Sequence, residues 1–317
     1  MLALHIPPPI PLLLVGLLVA WVWAVSWTVR RLTRPPRRTY AWAVSRGLPG
    51  DPGELGAARA FSAFTFRGPS GLLLHAWDVT GDSPAGPVIL MTHGWGESRV
   101  TMLGRAEGVF GVASRVVLWD LPGHGESEGR CGLGADEHGA LLALLDVTRA
   151  RSARPAEGPT AGVVLYGFSL GAGVSLMAAR AAEEIGNAGV EGVVLEAPYR
   201  MPQTPARAVL GGLGLPAGVT LDAALAWIGF WTGAGLLWKG FDREPLAAAL
   251  RGRVRVLVLH GEHDAISPVG DGRVIAQAGG GEFVEICGAS HLDVWDGASG
   301  DACRGAIRAF LASRDRA

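Results

Sequence analysis

At 317 residues, 49% of them apolar, the chain can bury one large core with an appendage, and a disordered or low-complexity chain is excluded. A net charge of −1, with no basic cluster outside the N-terminal flank, leaves no surface suited to nucleic acid. Lys239 is the only lysine among 28 basic residues, so neither lysine-based catalysis nor a P-loop is expected, and Cys131, Cys287 and Cys303 lack Cys-x-x-Cys spacing and read as free thiols in a reducing compartment, with no zinc site.

The first element in chain order is the uncharged run Pro11 to Val29, and roughly 19 residues at ~1.5 Å rise nearly span a ~30 Å hydrocarbon core. A cleaved signal peptide would carry basic residues before a shorter apolar core, whereas Arg30, Arg31, Arg34, Arg37 and Arg38 follow this one. We therefore expect a single uncleaved transmembrane helix in the cell (inner) membrane. The positive-inside rule places everything after the arginines in the cytoplasm. Trp21, Trp23 and Trp27 suit an interfacial belt, and the alternative, a buried core helix, fits the length and the tryptophans poorly. Residues 1–38 are thus expected to form the anchor and its basic flank, 39–60, with Gly50-Asp51-Pro52-Gly53, a tether, and 61–317 the folded domain.

Short apolar runs then recur at 72–77, 88–92, 116–119, 163–166, 193–195, 254–259 and 283–286, most of the later ones apolar throughout. That pattern suits parallel strands buried on both faces. Helix-like segments at 140–145 and 174–179 lie between them, which implies an α/β, doubly wound, mostly parallel sheet with its sites at the strands' carboxyl ends. Residues from about 199 to 250 break the rhythm with a Gly-rich and Pro-containing stretch at 211–216 and an apolar stretch, Leu221 to Lys239, and are read as a small helical cap.

Gly167-Phe168-Ser169-Leu170-Gly171 follows one of these runs directly and opens a small-residue helix. A serine on so sharp a strand-to-helix turn needs glycine two residues to either side, because side chains there would strike neighbouring backbone. Asp264 follows the run ending at Leu259, and His291 follows the run ending at Ile286. Ser169 is the candidate nucleophile, His291 the base that activates it, and Asp264 the acid that orients the imidazole. Glu262 and Glu196 remain rivals for the acid, and His263 for the base. His93, and His124 with Glu126 in Asp120-Leu121-Pro122-Gly123-His124-Gly125-Glu126-Ser127, read as structural, in a turn held by Asp120 and Ser127. A membrane crossing at Leu221 to Lys239 would separate Ser169 from Asp264 and His291, so that stretch is expected to cap the site and not to span.

The order Ser169, Asp264, His291 resembles the α/β-hydrolase superfamily over roughly residues 61–315. His93-Gly94-Trp95-Gly96 and the Asp120 to Ser127 turn look most like its serine aminopeptidase S33-like and lysophospholipase-like branch. The resemblance implies an oxyanion hole from the backbone N–H groups of Leu170 and Trp95. The aromatic cap and the tethering at the membrane bilayer favour a small-molecule acyl substrate, with Trp95, Trp227 and Trp231 as candidate substrate contacts. No His-Glu-x-x-His, Gly-x-Gly-x-x-Gly or Walker pattern occurs, so no cofactor or metal is expected. The expected activity is serine-dependent hydrolysis of an ester or thioester of an apolar acyl group. A peptidase acting on short peptides and a non-catalytic membrane scaffold are the alternatives, and the oligomeric state is left open.

Overall fold

The computed structural model describes residues 9–152, 162–186, 189–212 and 217–312. Among the described residues eight strands pair into one sheet: β1 (Phe61–Arg67), β2 (Leu73–Thr80), β3 (Val88–Thr92), β4 (Arg115–Trp119), β5 (Val163–Phe168), β6 (Val190–Glu196), β7 (Arg255–Gly261) and β8 (Glu282–Ile286). Their spatial order is β1-β2-β4-β3-β5-β6-β7-β8. β2 pairs antiparallel with both β1 and β4, and every later pairing is parallel. The sheet is therefore mostly parallel, as expected. β1 was not among the expected runs, because Phe61, Phe64 and Phe66 are interspersed with polar residues on an edge strand and leave no continuous apolar stretch.

The inner parallel strands are largely apolar because alternate residues enter two different cores. Leu90, Leu165 and Val193 join the first, with α4 (His138–Ser152), α5 (Leu170–Glu184) and α9 (Val269–Gly279). Ile89, Val164 and Val194 join the second, beneath α3 (Leu103–Glu107) and α10 (Gly297–Ala312). Between β6 and β7 the chain leaves the sheet to form α6 (Gln203–Gly212), α7 (Ala217–Thr232) and α8 (Arg243–Ala248). These helices fall in the stretch read as a cap, of whose Gly-Pro segment residues 213–216 lie outside the described residues.

On α7 the buried apolar side chains are Leu221, Ala224, Leu225 and Ile228, a spacing that docks one helical face on the domain. The indole Nε1 of Trp238 folds back to donate to the Leu225 carbonyl at 2.9 Å. Among the described residues, one helix is long and apolar enough to cross a membrane, the stretch Pro11–Thr33 of α1 (Pro9–Thr33), with mean hydropathy 2.2.

The two ends of α1 differ. From Leu12 to Val19 its large side chains are 57–75% exposed, whereas Thr28, Leu32 and Thr33 are buried. The buried end is fastened to the domain by several bonds. Trp21 Nε1 donates to the Val219 carbonyl at 3.1 Å, the hydroxyls of Thr28 and Thr220 are 2.9 Å apart, and the Cys131 N–H donates to the Thr33 carbonyl. Arg37 donates to the carbonyls of Gly125 and Ser127, and Arg38 pairs with Glu97 at 2.8 Å.

Residues 39–60, expected to form a tether, lie against the sheet instead. Ala43 in α2 (Tyr40–Val44) and Leu55 are buried in the second core. Their apolar positions are too few and too irregular to show a period, which is why the segment read as a linker. Removing residues 1–20 should accordingly leave thermal stability in detergent unchanged. Removing residues 1–60 should lower Tm by more than about 5 °C, since each buried aliphatic side chain contributes roughly 1.5–3 kcal/mol. Equal melting temperatures would show that the segment is a tether after all.

Candidate active site

The turn from β5 into α5 holds Ser169 at φ 53° and ψ −111°, a left-handed conformation costing a non-glycine residue about 1–3 kcal/mol. Convergence of three backbone segments at this point enforces it. A Cβ on Gly167 would overlap the Gly171 carbonyl, and one on Gly171 would overlap the carbonyls of Thr92 and His93 at the end of β3. A Cβ on Gly94 would stand 2.9 Å from the Phe168 ring. The Ser169 N–H is held by the Glu196 carbonyl at 2.8 Å.

Ser169, His291 and Asp264 meet at the carboxyl ends of β5, β8 and β7. The Ser169 hydroxyl lies 3.0 Å from His291 Nε2, and His291 Nδ1 lies 2.7 Å from Asp264 Oδ2. Asp264 Oδ1 accepts the N–H groups of Ile266 and Ser267 at 2.8 and 2.7 Å. Burial pushes the Asp264 carboxyl up, but hydrogen bonds from His260 and His291 and from the Ser267 N–H outweigh it and hold the group well below the usual carboxylate range. An ionised Asp264 therefore orients the imidazole, with Nδ1–H donating and Nε2 free to accept from the serine.

The rival residues are occupied elsewhere. Glu196 is fully buried and takes two donors from Arg105 at 2.9–3.0 Å, the Tyr166 hydroxyl, and Trp295 Nε1 at 3.0 Å. Glu262 is exposed and accepts the Gly288 N–H, and His263 is exposed beside it. Asp293 accepts the Ser290 N–H and shapes the loop that carries His291.

His93 donates from Nδ1 to the Gly94 carbonyl and accepts the Leu121 N–H at Nε2, joining the loops after β3 and β4. This requires the neutral ring, and burial lowers its pKa well below the ordinary value. His124, 4.9 Å away ring to ring, is lowered by burial to about 4. Asp120 closes the turn by accepting from the Arg99 and Glu126 N–H groups, and its carbonyl accepts from the Ser127 hydroxyl.

Leu170 is the first residue of α5, so its N–H has no intrahelical acceptor. With Trp95 it borders the same cavity of about 180 Å³ as Ser169 and His291. The indole of Trp95 donates to the Leu32 carbonyl at 2.8 Å and so forms a wall against the end of α1. Trp227 and Trp231, expected at the substrate, do not border this cavity: they are 58% and 39% exposed on the outer face of α7. The period that buries Leu221, Leu225 and Ile228 turns the tryptophans outward.

The apolar wall is instead built by Leu133, Pro205, Ala206, Val209, Ile266 and Leu292, with Leu32 and Arg38 from the N-terminal segment. None of these carries a local sequence signal. Leu32 and Arg38 sit in a flank that reads only as a topogenic charge cluster.

A model of the alpha/beta hydrolase family matches residues 88–303, which include all three residues of the hydrogen-bonded chain. The chain belongs to the alpha/beta hydrolase family. Its fold is shared with an esterase of Pyrococcus furiosus at TM-score 0.66 and 16% identity, covering 89% of this chain and 98% of that one. Esterase RhEst1 of Rhodococcus sp. superposes at TM-score 0.56 with 20% identity over 80% of this chain and 99% of that one. A thermophilic esterase of Thermogutta terrifontis does so at TM-score 0.55 with 21% identity, over 80% and 98%. No curated protein matches the chain in sequence.

The two buried acids should separate in their effects. Asp264→Asn should cut kcat by about 10⁴ through the wrong imidazole tautomer while Tm survives. Glu196→Gln should instead lower stability by about 3–5 kcal/mol, because it leaves the Arg105 charge buried without a counter-charge, while folded molecules keep their kcat. Steady-state kinetics with thermal unfolding checks both, and a reversed pattern would move the acid to Glu196.

Proposed function

We propose that this protein is a serine hydrolase that cleaves carboxylic ester or thioester bonds of an apolar, lipidic acyl group through an acyl-Ser169 intermediate. The observation that carries the reading is the hydrogen-bonded chain Asp264–His291–Ser169 opening into a largely apolar cavity. As the Ser169 hydroxyl attacks the acyl carbonyl, His291 Nε2 takes its proton. Charge then develops on the carbonyl oxygen, and the N–H groups of Leu170 and Trp95 are the donors for it; losing one such donor costs about 10²–10³ in rate. His291 returns the proton to the leaving alcohol or thiol as the tetrahedral species collapses, then activates water to free Ser169.

Two further features narrow the substrate. The walls from Pro205, Ala206, Val209 and Leu292 favour an acyl chain, in keeping with a lysophospholipase-like enzyme. Glu97, the carboxylate bordering the cavity, is paired with Arg38 and so is spent as an anchor for a peptide's α-amino group. An assembled hydrogen-bond chain also speaks against a scaffold that binds without turnover.

In the same reading, the exposed apolar part of α1 crosses the inner membrane once, and the arginines that follow it hold the domain in the cytoplasm. A p-nitrophenyl ester series tests the substrate class. kcat/KM should rise with chain length, by up to about fourfold per CH₂ buried. Ser169→Ala and His291→Ala should each abolish turnover, by up to about 10⁶, with the double variant little worse. Additive losses, or best turnover on aminoacyl-anilides, would contradict the assignment.

A further inference from the structure

The outward face of α7 is apolar where a solvent-facing helix would be polar. Val219, Trp227 and Phe230 are 58–67% exposed, Trp231 lies beside them, and the turn that follows exposes Leu236 and Leu237. The Trp227 and Phe230 rings stack on one another at 6.0 Å. Asp222, the only charge on the helix, stands within its first two turns.

What covers this face follows from its continuity with α1. Trp21 and Thr28 bond to Val219 and Thr220, so the start of α7 lies alongside the last three turns of the apolar run. Trp21 precedes the end of that run at Val29 by about 12 Å along the helix axis. If α1 crosses the bilayer with the run Pro11 to Val29 in hydrocarbon, the start of α7 enters the same leaflet with it. The cavity follows, because Leu32, in its wall, lies only about 5 Å beyond Val29, within the headgroup layer.

Resting on the membrane-anchor reading, we propose that α7 and the turn at residues 233–237 lie in the cytoplasmic leaflet against α1. The Ser169 cavity then opens onto lipid, and an acyl chain enters it sideways from the bilayer. Trp227, Phe230 and Trp231 are lipid contacts in this arrangement, which accounts for their distance from the cavity.

The full chain carrying Cys287→Ser, in vesicles of phosphatidylcholine and phosphatidylglycerol, provides the test. Nitroxides at Val15→Cys in α1, Phe230→Cys in α7 and Gln277→Cys in α9 report collisions with oxygen, which partitions into lipid, and with a water-soluble nickel chelate. The proposal expects the first two labels to favour oxygen and the third to favour nickel. Val15 in lipid with Phe230 in water would overturn the docking and leave the anchor standing. Val15 in water would overturn the anchor itself, and the docking with it. A Phe230 label shielded from both probes would mean that a second copy covers the face, and would also overturn the proposal.

Function gives a second readout. Phe230→Ser with Leu237→Ser should leave hydrolysis of a soluble short-chain ester unchanged and lower turnover of a long-chain ester dispersed in those vesicles by roughly tenfold. Equal activity on the vesicle-borne ester would overturn lateral entry.

Discussion

The strained backbone at Ser169 is the constraint on which the rest of the site depends. A left-handed serine persists only where its surroundings over-determine it, and here β3, β5 and the first turn of α5 approach so closely that Gly167 and Gly171 cannot carry side chains. The Glu196 carbonyl ties the elbow to β6. The carboxylate of the same residue is locked beneath it by Arg105, Tyr166 and Trp295. A buried ion pair thus supports the turn, while a second acid, Asp264, orients the imidazole from the neighbouring strand.

Sequence and structure agree best where local chemistry is most demanding. The Gly-x-Ser-x-Gly turn, the doubly buried strands and the order of Ser169, Asp264 and His291 all appear as composition or spacing, and the hydrogen-bonded chain unites those three residues. β1 escaped because an edge strand carries no continuous apolar run. Trp227 and Trp231 were misplaced because an aromatic cluster in a cap suggests a pocket, and only the burial of Leu221, Leu225 and Ile228 reveals which way the helix faces. Cavity walls such as Val209 and Leu292 are set by tertiary convergence, which leaves no local trace.

The N-terminal segment departs furthest from a modular picture of anchor, tether and enzyme. Its arginines act as structural ligands: Arg37 caps carbonyls of the loop after β4, and Arg38 pairs with Glu97 at the cavity wall. Leu32 and the Trp95 indole then join α1 to the loop that follows β3. The apolar helix and the cavity wall therefore share residues, so the position of that helix and the geometry of the cavity are physically coupled.

The central claim is that Ser169 becomes covalently acylated. Acid quenching of the full-length protein within the first turnovers of a p-nitrophenyl acyl ester, followed by peptide mapping by mass, tests it most directly. The account predicts the mass of the acyl group on the peptide containing Ser169, removable by hydroxylamine. Product formation with an unmodified Ser169 peptide, or with the acyl group on another residue, would contradict it.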